Sequence, residues 1–283
     1  MQKYDYEKVR SLHPELTVKD LDGNNGIGRY IFLCGSAKRS RQIAERFEDV
    51  VTKEHTREHN LLLGSIQGYS GKIDVASICT GMGCPSVDSI LHQLFSNGAK
   101  RFLRIGTAGS LQPDYVKTGN VVIPTGAVRD EHTSLNYIGL EYPSIASFEM
   151  ITAALQAVRK LQLQDCVYKG IVHTKDSFFA REVGCSFLKE NSDFMHDLKE
   201  AGVIATEMES SHIFVLSSIF NYIATEAFKN PKNNVLFGSI LGIVNDYDPI
   251  IADSTATKLA IDRAIDIGFE TIKMLFKIDN ELI

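Results

Sequence analysis

The sequence predicts an α/β protein with a mixed, mostly parallel sheet between two helical layers, a three-layer α/β/α sandwich. Apolar runs of strand length alternate with amphipathic stretches of helical period through most of the 283 residues. Three of these runs lead into glycine-rich stretches, where open α/β sheets place their ligands. No linker-like stretch divides the chain, so the expectation is one domain over residues 1–283, with residues 1–28 as an N-terminal arm.

The arm is polar and ends in the turn signal Asp22-Gly23-Asn24-Asn25-Gly26. Arg29 to Cys34 reads as a strand running into Gly35-Ser36-Ala37-Lys38-Arg39, before a helix from Ser40 to about Val50. Strand, glycine turn and helix start form an anion-binding geometry, although the GxxxxGK[ST] spacing is absent. The charged cluster Lys53 to His59 reads as a solvated loop by residue type. Leu61–Gln67 and Lys72–Cys79 read as a hairpin closed at Gly68-Tyr69-Ser70-Gly71. The second of these strands delivers Thr80-Gly81-Met82-Gly83-Cys84-Pro85-Ser86, and a helix follows with its proline in the favoured early position.

At Lys100 to Ser110 an apolar strand carries Arg104 and is expected to break into a Gly106-Thr107-Ala108-Gly109 loop. A guanidinium keeps its proton and asks for an anion, here either a structural carboxylate or a phosphate. Val121 to Pro124 is the next strand, followed by a polar stretch through His132 and a helix from about Ser147 to Leu161. Tyr168–Thr174 reads as a strand leading into Lys175 to Glu182, whose adjacent Phe178 and Phe179 suit either a core or a flat ligand. Val203–Thr206 is a short strand. Glu207-Met208-Glu209-Ser210 then opens an apolar helix, where carboxylates also favour the positive end of the dipole. Val235–Val244 forms a strand ending in Asn245-Asp246, and a last helix runs from about Ser254 to Lys277.

A formal net charge of −5 with Lys and Arg spread throughout argues against a nucleic-acid face or a polybasic membrane patch. Five cysteines without a CxxC pair suit reduced thiols. No apolar run reaches membrane-spanning length, and the N-terminus lacks the apolar core of a signal peptide, so the expected location is cytoplasmic.

Taken together these residues resemble the nucleoside phosphorylase family, its uridine phosphorylase branch in particular. The resemblance rests on His13 to Leu21, Gly35 with Arg39, Thr56-Arg57-Glu58, Thr80 to Ser86, Leu103 to Gly109, Val128-Arg129-Asp130 and Glu207 to Ser210, in order and at matching intervals. It implies that Gly35, Arg39, Arg104 and Thr107 bind phosphate, with Arg57 supplied by a neighbouring subunit. It also implies that Met208 and Glu209 hold the ribose, while His13 reaches the 5′-hydroxyl across a dimer interface. The branch implies a homo-oligomer, a hexamer built from dimers, inorganic phosphate as co-substrate, no cofactor, and no metal beyond a monovalent cation at Glu58. Phosphorolysis needs a dianion held beside C1′, a ribose pinned by its hydroxyls, and a stabilised leaving base.

The base end departs from the pattern. The loop Phe178 to Gly184 lacks the glutamine by which uridine phosphorylases read uracil, leaving Phe178, with Arg181 donating and Glu182 accepting, as the candidate base contacts. Asp246 resembles the aspartate with which purine-cleaving relatives protonate N7, so a purine nucleoside phosphorylase is the alternative. A paralogue that binds nucleosides without turnover is the second.

Overall fold

A computed structural model describes residues 4–12, 15–224, 233–248, 250 and 253–281. Over these described residues the order is α1 (Tyr6–Arg10), α2 (Val18–Leu21), β1 (Tyr30–Cys34), α3 (Ala37–Ala44), β2 (Glu48–Lys53), β3 (Leu61–Gln67), β4 (Lys72–Cys79), α4 (Cys84–Ser96), β5 (Arg101–Ser110) and β6 (Val121–Asp130). There follow α5 (Phe148–Lys160), β7 (Val167–Lys175), α6 (Phe178–Arg181), α7 (Glu190–Glu200), β8 (Ala205–Glu207), α8 (Ser210–Ile223), β9 (Leu236–Asn245) and α9 (Ser254–Glu281).

The strands join one mixed sheet in the order β2-β3-β4-β1-β5-β8-β7-β6-β9, and β5 also pairs with β9 in parallel. Strands β5, β8, β7, β6 and β9 therefore close on themselves. They share a cluster of buried side chains that includes Ala108, Val122, Val172, Ala205, Leu241 and Ile243. The remaining strands form an open wing that ends at β2.

Side-chain alternation along a strand divides the rest of the core in two. From β1, Tyr30, Phe32 and Cys34 pack with α3, α5 and α9, while Ile31 and Leu33 join the cluster of α4 and α8. Helices thus cover both faces. In β5 the same alternation sends Leu103 and Ile105 one way and Phe102 the other, stacked on Phe237 with ring centroids 4.5 Å apart. Arg104 follows Phe102 in the alternation, to the side on which α4 and α8 begin. Within the arm, Tyr4 and Tyr6 pack edge-on or tilted against Phe95 of α4.

Three expectations are corrected. The stretch Gly106 to Gly109 is no loop: β5 continues through it to Ser110, with Gly106 opposite Leu241 and Thr107 opposite Gly242. Its glycines make room rather than a turn, since a β-carbon at Gly106 would lie 2.7 Å from Leu241 and 2.9 Å from the Arg104 guanidinium. The helix expected to reach Val50 stops at Ala44, and β2 takes its place. Strand β6 runs on through Arg129 and Asp130, because β7 offers it parallel partners as far as Lys175.

All five cysteines are unpaired. No described helix is long and apolar enough to cross a membrane.

Candidate active site

A cavity of about 260 Å³ opens where β1, β5, β7, β8 and β9 end and α3 and α8 begin. Its lining includes Gly35, Arg39, Arg104, Thr107, Phe178, Glu182, Met208 and Glu209, so eight of the residues singled out in the sequence are brought together.

Arg104 stands at its centre, 4% exposed. Its Nη2 donates to Glu209 Oε2, and its Nε lies 3.4 Å from Glu207 Oε2. Burial works against the guanidinium charge, but Glu209 and Glu207 outweigh it and raise the Arg104 pKa. Arg104 Nε and Nη1 and Arg39 Nε are buried without a hydrogen-bond partner. Buried N–H groups of this kind are rare in folded proteins and call for an acceptor. Arg39, in the first turns of α3, reaches the Ile105 carbonyl at 3.3 Å through Nη1. Burial lowers its pKa, and the nearby Arg104 charge lowers it further, with Cys34 and Glu209 opposing. Two cations crowded together in this way favour an anion between them.

The two glutamates at the start of α8 have different jobs. Glu207 is held by the helix itself, accepting from the backbone N–H groups of Glu209 and Ser210 at 2.9 Å each and from the Thr174 hydroxyl at 2.5 Å. Glu209 lines the cavity beside it, and its Oε1 accepts from Gly83 N at 2.7 Å. Burial raises the Glu209 pKa above the ordinary carboxylate range, with Glu207 adding to the effect and Arg104 opposing it. Gly83 adopts φ 84, ψ 158, a region essentially confined to glycine, and this aims its N–H at the carboxylate.

Four sequence candidates lie elsewhere. Arg181 donates to Asp130 Oδ1 at 2.6 Å and to Asn191 Oδ1 at 2.5 Å, with its guanidinium 4.6 Å from the centroid of the Phe194 ring. Those partners turn it away, and it does not line the cavity. Asp246 is likewise off the cavity. Its carboxylate accepts from Thr118 N at 3.1 Å and Tyr247 N at 2.8 Å. Slight burial pushes its pKa up, but these bonds outweigh it and lower the pKa, the opposite of what a proton donor to N7 requires. Arg57 and Glu58 are exposed in the turn between β2 and β3, away from the cavity. His13 lies outside the described residues.

The structure adds residues that the sequence reading left unassigned. Lys175, Thr206 and Asn245 line the cavity, and Gly109 leaves space there for Asn245 and Glu182. The signal for Lys175 was its place at the end of a strand, beside Phe178 and Glu182. Among the described residues no group of three or more His, Cys, Asp or Glu is placed to hold a metal ion.

The model of the phosphorylase superfamily matches residues 29–266. The chain belongs to the phosphorylase superfamily. The chain is similar to a uridine phosphorylase of Treponema pallidum, 33% identical over 195 residues that span 68% of this chain and 73% of that one. A uridine phosphorylase of Haemophilus influenzae is 31% identical over 211 residues, 73% and 79% of the two chains. A purine nucleoside phosphorylase of the DeoD type from Bacillus cereus is 33% identical over 195 residues, 68% and 76%. In fold, this superfamily member matches a uridine phosphorylase of Vibrio fischeri, complexed with 6-hydroxy-1-naphthoic acid, with a TM-score of 0.68 at 24% identity over 96% of this chain and 98% of that one. Its enzyme class is that of the pentosyltransferases, as a uridine phosphorylase-like nucleoside phosphorylase.

Proposed function

We propose that the cavity binds a nucleoside and inorganic phosphate side by side and exchanges the base for phosphate, giving free base and ribose 1-phosphate, with uridine as the first nucleoside to test. The observation that carries this reading is the pair Arg104 and Arg39, with Arg104 Nε and Nη1 and Arg39 Nε buried without acceptors beside a carboxylate, Glu209, that does not depend on the helix for its partners. In this reading Arg104 and Arg39, with Gly35 and Thr107, hold the phosphate, since guanidinium forks suit its oxygens. Glu209 accepts the ribose hydroxyls and Met208 packs on the sugar. A phosphate oxygen forms its bond to C1′ as the bond from C1′ to the base nitrogen breaks, and the base leaves with the electron pair. Arg104 touches both the phosphate and Glu209, so it sets the phosphate against the residue that holds the ribose.

The reaction so read takes phosphate as co-substrate and no cofactor. Arg57 and His13 belong to a neighbouring subunit's site in a dimer-based hexamer, and Glu58 holds a monovalent cation at the interface. The exposure of Arg57 supports such a role, because nothing in its own cavity engages it. Placement of Asp246 off the cavity gives no support to purine cleavage through that residue.

The test is product analysis with uridine, thymidine, inosine and adenosine, each with and without phosphate. Base and ribose 1-phosphate formed only with phosphate is the expected result. Release of free ribose, or binding of nucleoside without turnover, overturns it.

A further inference from the structure

The cavity lining contains an ion pair that the reaction above does not use. Lys175, the last residue of β7, is 2% exposed. Its ammonium has three partners: Glu182 Oε1 at 2.5 Å, Thr206 Oγ1 at 2.8 Å and the Glu207 carbonyl at 3.3 Å. An ammonium has three hydrogens, so all of them are engaged within the protein. The Thr206 hydroxyl lies 2.9 Å from His173 Nδ1, and His173 Nε2 lies 2.9 Å from Asp130, which in turn holds Arg181. This chain is satisfied with a neutral histidine, which accepts from Thr206 and donates to Asp130.

Glu182 is differently placed. Lys175 takes Oε1, whereas Oε2 stands against Gly109, close enough that a β-carbon on that glycine would be 3.0 Å away. Both residues line the cavity. A carboxylate oxygen with no proton can only accept.

We propose that Glu182 Oε2 accepts a hydrogen bond from an N–H on the nucleobase, and that Lys175 is a positioning residue fixing Glu182 in that pose. The proposal rests on reading the cavity as a nucleoside site. The bases it favours carry an N–H on the edge remote from the glycosidic bond, as the imide of uracil does at N3.

The experiment compares phosphorolysis of uridine and of 3-methyluridine, whose N3 bears a methyl in place of hydrogen, in excess phosphate. Wild-type enzyme is expected to prefer uridine by about 10- to 100-fold in kcat/KM, the range of one hydrogen bond to a charged group. Glu182→Met keeps the volume and removes the acceptor, so it should bring the ratio towards one, chiefly through the KM for uridine. Lys175→Met should do the same while leaving Glu182 in the chain, a change that a merely structural lysine would not produce. If Lys175→Met fails to fold, Gly109→Ala, whose β-carbon would crowd Glu182 Oε2 at 3.0 Å and Asn245 Oδ1 at 2.5 Å, is expected to lower the ratio too. A wild-type ratio near one, or variants that keep the wild-type ratio, overturns the proposal. Failure of the wild type to release base from uridine, inosine or adenosine with phosphate present overturns the underlying reading instead.

Discussion

Arg104 shares its guanidinium between Glu209 and Glu207 and still has buried N–H groups to offer, so its loss leaves Glu209 without its cation and, in the proposed reaction, removes a phosphate contact. Arg104→Gln is expected to lower kcat/KM more than tenfold, since a charged hydrogen bond contributes about 1.5–3 kcal/mol. Steady-state kinetics at varied phosphate checks this, and a KM for phosphate equal to wild type would sink the assignment. Glu209 gives a pH signature. In the proposed reaction it accepts the ribose hydroxyls as a carboxylate, and as the neutral acid it would offer one oxygen fewer. Because burial raises its pKa, the protonated form takes over at a pH above the ordinary carboxylate range. The KM for nucleoside should accordingly climb on acidification, beginning above that range, and in Glu209→Gln this limb should vanish on a raised baseline. At this scale the sequence was informative about charge and poor about partners. It marked Arg104, Glu209 and Glu182, yet could not tell that Arg181 is captured by Asp130, or that Asp246 bonds to Thr118 across the chain.

In the proposed reaction, the start of α4 is the element on which ribose binding turns. Gly83 presents its N–H to Glu209 only because it lies in a glycine region of backbone space, although its surroundings would leave room for a methyl group. Gly83→Ala should therefore act through backbone strain, about 1–3 kcal/mol. The expected outcome is a lower thermal midpoint together with a higher KM for nucleoside and an unchanged KM for phosphate. Most elements were legible because their side chains alternate or run apolar, as in β1, β3 and β4. Strand β2 was not, since every residue from Glu48 to Thr52 is exposed and an edge strand of this kind has no apolar pattern to read. The far half of β5 was misread for another reason. A glycine needed for room and a glycine needed for a turn look alike in sequence, and only the neighbours Leu241 and Arg104 distinguish them.

Across the whole molecule, Arg101 ties the sheet to its last helix. It is fully buried and bonds Asp279 of α9 at 2.9 and 2.7 Å, while the Tyr30 hydroxyl reaches the same carboxylate at 2.7 Å. Of two arginines three residues apart on β5, one meets a structural carboxylate and the other faces the cavity. Asp279→Ala strands a buried cation, for which the expected destabilisation is about 3–5 kcal/mol. Denaturant titration reads it, and kcat/KM measured well below the unfolding transition should stay within about twofold of wild type, because the cavity lies at the other end of the strand.

The closure of β9 onto β5 has a consequence in time. Gly35, Arg39 and Arg104 emerge early from a ribosome, and β5 can pair in parallel with β1 at once, yet its second parallel partner is missing until Leu236 to Asn245 have been made, as the pairing of Arg101 with Leu236 requires. Contacts so distant in sequence form slowly. In refolding from denaturant, phosphate-dependent activity should return after the helical circular dichroism signal. Until that last strand docks, neither substrate has a completed cavity to bind, so substrates can shield the finished enzyme from unfolding but cannot rescue a chain still being synthesised.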